Sequence, residues 1–203
     1  MIAVIDYGVG NLFSVEKALT AAGGDAVVTN DNNAIKKAEK LVLPGVGAFG
    51  DCMRELVKTG LVNTIKEEIA KGKPLLGICV GLQLLFDESE ESEGVRGLSV
   101  LPGKIKKIDA KGQKIPHMGW NSLDIKNSPE NSRLFKGLGE KSYVYFVHSY
   151  HAVCDPSLIA ATAEYGETIT AAVQKENVVA TQFHPEKSGD VGLKILKNFI
   201  DYV

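Results

Sequence analysis

Apolar positions along the first 90 residues switch between two periods. Ile2 to Ile5 is a short apolar run ending in Asp6-Tyr-Gly-Val-Gly10, which reads as a buried strand and its turn. Asn11 then caps a helix whose apolar positions Leu12, Val15, Leu19 and Ala22 recur at three- and four-residue spacing, and Gly23-Gly24 stops it. Ala26 to Val28 is a second strand, Ala34 to Ala38 a short helix and Lys40 to Leu43 a third strand. After the loop Pro44 to Gly50, a helical pattern runs from Asp51 to Ala70 with a break near Gly60. Pro74 to Ile78 is a fourth strand, leading directly into helix from Val80 to Phe86. Strand–helix alternation of this kind predicts an α/β fold with a central, mostly parallel sheet flanked by helices.

From Gly94 to about Gln174 the segments become short, β-rich and separated by Gly, Pro, Asn and Asp. Gly103–Ile108, Ser142–Val147, Ile159–Thr162 and Thr170–Val173 suggest antiparallel hairpins appended to the parallel core. Val178 to Phe183 returns to a buried strand, and Lys187 to Tyr202 is a closing amphipathic helix using Val191, Ile195, Leu196, Phe199 and Ile200.

Composition narrows the class. The 203 residues are 44% hydrophobic and 24% charged, a globular balance, and at ~150 residues per domain they read as one domain over 1–203. The net charge of −2 leaves no electrostatic footprint for nucleic acid or an acidic membrane. The N-terminus lacks the basic region of a signal peptide, and the Leu75–Phe86 apolar run is short of the ~18–20 residues that span a bilayer. Three widely spaced cysteines, odd in number and without a CxxC pair, argue against a disulfide framework or a zinc site. A cytoplasmic protein without metal or cofactor is expected.

The sharpest chemical signal is Pro74-Leu-Leu-Gly77-Ile-Cys79-Val-Gly81-Leu-Gln83. An apolar strand turns into a helix at Cys79, with glycines two residues to either side, the nucleophile-elbow pattern with sulfur in place of oxygen. A helix N-terminus there favours thiolate through its dipole and free amides. The alternative is a small core cysteine. In Val178-Val-Ala-Thr-Gln-Phe-His184-Pro-Glu186 a buried strand delivers His184 at its end, where sites cluster in open α/β sheets. If extended geometry continues through Pro185, His184 and Glu186 face the same side and compose a Cys-His-Glu triad with Cys79. Alone, a strand-end histidine such as His184 is more often structural. The loop Pro44-Gly45-Val46-Gly47 follows a strand end and could aim amides at an oxyanion or be a plain turn.

Other stretches carry less. Gly8-Val-Gly10 lacks the third glycine of a dinucleotide loop, and His148 and His151 would face opposite sides of a strand. Asp87 to Glu93 reads as a solvated acidic loop. Trp120, the only tryptophan, lies in Pro116-His-Met-Gly-Trp-Asn121 as either core filling or an interface anchor.

Taken together, the Cys79 elbow, the Pro-Gly-Val-Gly loop and the late His-Pro-Glu resemble the class I, triad-type glutamine amidotransferases, whose fold is flavodoxin-like. Asp6-Tyr-Gly-Val-Gly-Asn11-Leu, Pro44–Gly50, Gly77–Phe86, Pro116–Asn121, Tyr145–Tyr150 and Gln182–Ser188 are similar, in order, to the glutaminase subunits of imidazole glycerol phosphate synthases of histidine biosynthesis. The resemblance implies that Cys79 attacks the side-chain amide of L-glutamine, that His184, held by Glu186, protonates the departing ammonia, and that water releases glutamate. It also implies that Gly45, Val46, Gly47 and Gln83 embrace glutamine, with the backbone at Ser149 and Tyr150 holding its α-amino and carboxylate end. Ammonia would pass to a TIM-barrel cyclase subunit making imidazole glycerol phosphate and AICAR, which Asn11, Met118, Trp120, Tyr145 and Lys187 would face in a heterodimer. A glutaminase subunit of another amination pathway, such as pyridoxal phosphate synthesis, and a noncatalytic assembly subunit are the other readings of this fold.

Overall fold

The computed structural model describes residues 1–126, 133–139 and 142–203. Its first half is an alternation of β1 (Ile2–Ile5), α1 (Leu12–Ala21), β2 (Ala26–Thr29), α2 (Asn32–Lys37), β3 (Lys40–Leu43), α3 (Phe49–Lys58), α4 (Val62–Ala70), β4 (Leu75–Ile78) and α5 (Val80–Leu84). The strands β5 (Glu88–Ser89), β6 (Lys104–Lys107), β7 (His117–Ser122), β8 (Asp124–Ile125), β9 (Tyr143–His148), β10 (Tyr150–Val153), β11 (Ile159–Tyr165), β12 (Glu167–Lys175) and β13 (Val178–Thr181) follow, and α6 (Gly189–Tyr202) closes the chain.

One eight-stranded sheet runs β2-β1-β3-β4-β13-β12-β11-β8. Its first five strands are parallel, as the alternation predicts, and the last three are antiparallel. The β11–β12 hairpin therefore extends the main sheet through β13, while β5–β6–β10 and β7–β9 form two smaller sheets. All residues of β1, β4 and β13 are buried, because helices cover both faces of a parallel sheet. Tyr7, Phe49, Phe86, Phe146, Phe183 and Phe199 are the largest fully buried side chains.

Several sequence expectations move. The short helix starts at Asn32 rather than Ala34, because Asp31 is its N-cap and accepts hydrogen bonds from the amides of Asn33 and Ala34. Asn11 does stand at the N-cap of α1, but its side chain makes no capping hydrogen bond. The helix after the Pro44 loop begins at Phe49, and the closing helix at Gly189. Asp87–Glu93 is not a solvated acidic loop. Ser89 is buried in β5, Asp87 Oδ2 accepts the amide of Gly103, and the Glu91 carboxylate and Ser92 hydroxyl accept the Phe49 and Gly50 amides at the start of α3. Four amides at a helix start lack intrahelical partners, and this acidic segment supplies two acceptors from outside the helix.

Candidate active site

The three signal-bearing loops leave β3, β4 and β13, which are adjacent and parallel, so all three sit at one carboxyl edge of the sheet. That adjacency brings Cys79 and His184 into one cavity of about 390 Å³, which Val46, Gly47, Gln83, Glu91, Ser149 and Tyr150 also line.

Cys79 sits at the turn with φ 55° and ψ −111°, a conformation that L-residues rarely adopt. Its amide is tied to the carbonyl of Thr181 at 2.8 Å, and its carbonyl accepts from the Leu82 and Gln83 amides, so the strain is held from both sides. The glycine at 81 is a steric requirement: a Cβ there would lie 1.8 Å from the Leu43 carbonyl oxygen. The helix that follows is five residues long, shorter than predicted, so its dipole contribution is small. Gln182 Nε2 lies 3.8 Å from the sulfur as a donor.

His184 and Glu186 do meet, by a different backbone route from the one expected. The extended geometry ends at His184, and Pro185–Lys187 forms a 3-10 turn that swings the carboxylate back. Glu186 Oε1 accepts from His184 Nδ1 at 2.7 Å, with both side chains almost fully buried. Nδ1 is thereby committed to the carboxylate, and Nε2 is the nitrogen left to exchange a proton; it is buried without a hydrogen-bond partner, as is Glu186 Oε2. Burial works against a charged imidazole, but the Cys79 sulfur and the Glu186 carboxylate overcome it and push the His184 pKa up to about 9. A thiol beside a proton-hungry imidazole held by a carboxylate is an arrangement suited to nucleophilic acyl transfer.

The glycine loop packs against the elbow. Gly45 is buried, and a Cβ there would lie 2.7 Å from the Tyr7 hydroxyl and 2.9 Å from the Gly81 nitrogen. Its carbonyl accepts from the amide of Val80 at 3.3 Å. Tyr7 donates to the Pro44 carbonyl at 2.7 Å, and the Cys52 thiol to the Val46 carbonyl at 3.2 Å. Burial raises both groups, Cys52 to about 11, so each stays a protonated donor.

Gln83 donates from Nε2 to the Tyr150 carbonyl at 3.2 Å and to Gln182 Oε1 at 3.1 Å. Ser149 is the link between β9 and β10 and Tyr150 opens β10, with the Ser149 carbonyl tied to the Ile108 amide. Glu91 is the lining residue that the sequence did not suggest; nothing in its acidic run distinguishes it from its neighbours. Gln182 opens the Gln182–Ser188 stretch that carries His184 and Glu186. Val80 contributes through its amide, which no side-chain pattern reveals.

Trp120, 55% exposed, and Met118, 62% exposed, project from β7 rather than filling the core. Trp120 lies edge-on to Tyr145 at 6.2 Å, and Lys187 Nζ is 6.0 Å from the Tyr145 ring, so these residues make one exposed patch beside the His184 turn. Asn11 is exposed at the start of α1, which packs against that same turn. Among the described residues there is no group of His, Cys, Asp and Glu that could hold a metal, and no helix long and apolar enough to cross a membrane.

The family described as glutamine amidotransferase class-I matches residues 3–202. The imidazole glycerol phosphate synthase subunit HisH of Syntrophotalea carbinolica is 52% identical over 208 residues, covering 99% of this chain and 100% of that one. The protein of the same name from Methanothermobacter thermautotrophicus is 50% identical, covering 100% of this chain and 99% of the relative. Among solved structures, a glutamine amidotransferase aligns with a TM-score of 0.76 at 19% identity over 98% of this chain and 99% of its own. PurLQS from Thermotoga maritima aligns with a TM-score of 0.75 at 21% identity, over 99% and 97% of the two chains. These two likenesses speak for the fold.

Proposed function

The chain belongs to the class-I glutamine amidotransferases, and within them to the imidazole glycerol phosphate synthase subunits named HisH; from that premise we propose that it hydrolyses glutamine and hands the ammonia to a cyclase subunit. The observation that supports this most is the delivery of Cys79 and His184 into one cavity from adjacent strand ends, with Glu186 at 2.7 Å behind the imidazole.

In this reading the Cys79 thiol passes its proton to His184 Nε2 as the sulfur adds to the side-chain carbonyl carbon of glutamine, and the oxygen takes the negative charge. His184 gives its Nε2 proton to the amide nitrogen, the C–N bond breaks, and ammonia leaves a thioester on Cys79. Water then adds to the thioester, His184 takes its proton, and glutamate departs as the thiol is restored. Glu186 keeps Nδ1 protonated and the ring oriented throughout. The oxyanion donors would be the Val80 amide and an amide of the Gly45–Gly47 loop. Glu91, the carboxylate lining the cavity, complements the substrate α-ammonium, while backbone at Ser149 and Tyr150 meets its carboxylate. The patch of Met118, Trp120, Tyr145 and Lys187, with Asn11, would take the cyclase.

The test is glutamate release from glutamine by the purified chain, alone and with the cyclase subunit and its ribonucleotide ligand, with Cys79→Ala as control. Turnover in the complex that disappears in Cys79→Ala is the expected result. No glutamate in either condition would reduce the three residues to inheritance.

A further inference from the structure

The Tyr150 carbonyl accepts twice, from Gln83 Nε2 at 3.2 Å and from His148 Nδ1 at 2.8 Å. A carbonyl only accepts, so His148 carries its hydrogen on Nδ1, and Nε2 of the neutral ring is an acceptor. The atom facing that acceptor at 3.0 Å is His117 Nδ1, which must therefore be a donor. His117 Nε2 is then an acceptor for Asn121 Nδ2 at 3.3 Å. The orientation of Asn121 is itself fixed, because its Oδ1 accepts the Ser122 amide and its Nδ2 also donates to the Glu164 carbonyl. Every proton in the chain Asn121–His117–His148–Tyr150 is placed by its two ends.

On the far side of the Tyr150 carbonyl the path continues. Gln83 Nε2 also donates to Gln182 Oε1, which turns Gln182 Nε2 toward the Cys79 sulfur. Hydrogen-bonding groups thus run without a gap from β7 to Cys79.

Strand geometry explains why β7 is the origin. His117 and Asn121 occupy alternate positions on β7, and so do Met118 and Trp120, so one set faces inward and the other outward. His117 is buried between Phe146 and Tyr165, with ring centroids at 4.7 and 4.1 Å. Burial holds His148 down to about 3 and His117 to about 4, which keeps both rings neutral, the charge state that leaves one acceptor nitrogen on each.

Resting on the glutaminase reading above, we propose that His117 and His148 are positioning residues: they couple occupation of the exposed Met118–Trp120 face to the placement of the Tyr150 carbonyl and, through Gln83 and Gln182, of the Cys79 sulfur. Neither touches the scissile amide. A chain of satisfied hydrogen bonds between packed strands transmits a shift of β7 because no member can turn without orphaning a neighbour.

The experiment uses the chain assembled with its cyclase and the cyclase ligand. His117→Phe keeps a ring between Phe146 and Tyr165 but removes both hydrogen bonds; His117→Asn restores a donor at the position of Nδ1. We expect His117→Phe to raise KM for glutamine and to cut the partner-stimulated kcat/KM by ~10-fold or more, with the Kd for the cyclase unchanged, and His117→Asn to recover most of the loss. Wild-type stimulation and KM in His117→Phe overturn the inference alone. Absence of turnover by the wild-type complex overturns the glutaminase reading, and this inference with it. Should His117→Phe not fold, nitrogen NMR of the wild-type histidines decides: both His117 and His148 must carry the proton on Nδ1, and an Nε2-protonated His148 sinks the proposal.

Discussion

The carbonyl of Gly45 accepts a hydrogen bond from the amide of Val80, and Val80 is the residue that follows Cys79. At a strand–turn–helix elbow the amide after the nucleophile is an oxyanion donor. Here it is already satisfied by the protein, so an oxyanion would have to compete with a peptide carbonyl for it. The Gly45–Val46 peptide is flanked by two anchored carbonyls, Pro44 held by Tyr7 and Val46 held by Cys52, so it can rotate as a crank between fixed points. Docking of a partner and cyclase ligand would shift the population toward the rotated form.

The isolated chain is therefore expected to turn over glutamine ~10²–10³-fold more slowly than the ligand-bound complex, the range lost when an oxyanion donor is removed. Steady-state glutamate release measures it. Equal rates with and without partner would show that the Gly45 carbonyl does not block the site.

Cys79 stores backbone strain at the strand-to-helix turn. At φ 55° and ψ −111° a glycine is comfortable and an alanine is not. Cys79→Gly and Cys79→Ala should both be inactive, with the glycine variant the more stable by about 1 kcal/mol after its greater chain entropy is subtracted. Calorimetry should then place its Tm ~2–4 °C above that of Cys79→Ala. Identical melting temperatures would mean that the turn relaxes without cost.

His184, raised against its burial by the Cys79 sulfur and the Glu186 carboxylate, sets the alkaline side of the pH response. With its pKa raised to about 9, His184 is protonated in the folded protein across neutral pH. A group raised on folding contributes stability that is complete below its unfolded value of ~6.5 and fades as pH rises through the folded value. The kcat/KM of the complex should likewise fall above about pH 9, where the general acid is lost. Glu186→Gln removes the anion while keeping the shape, and its alkaline limb should move to lower pH. An unmoved limb would assign that ionisation to another group.

What could be read from the chain was what depends on local pattern. The apolar runs of β1, β3, β4 and β13 and the helical spacing of α1 and α6 are short-range signals, and so are the elbow at Cys79 and the His-Pro-Glu stretch. Pairings across distance were not readable. That β13 lies beside β4, although some hundred residues separate them, is what turns two motifs into one site. The sequence places His148 and His151 facing apart on one strand; Ser149 in fact separates β9 from β10, and His148 pairs across the antiparallel β7–β9 ladder with His117. Glu91 escaped because its role arises from the fold of β5 against α3, and an acidic run in a sequence does not reveal which member turns inward.

Trp120 offers the cleanest separation of docking from stability. It is 55% exposed, and its Tyr145 neighbour is a partner across two paired strands, so little of the core depends on it. A large exposed aromatic contiguous with Met118, Tyr145 and Lys187 has the composition of an interface anchor. Trp120→Ala should weaken binding to the cyclase by ~30-fold or more, the effect of losing about 2 kcal/mol at a hot spot. The Tm of the isolated chain should change by less than ~2 °C, since surface substitutions away from buried contacts are nearly neutral. Titration calorimetry on the complex and melting of the free chain distinguish the two effects. Unchanged affinity would move the docking face away from β7, and a large fall in Tm would return Trp120 to the core.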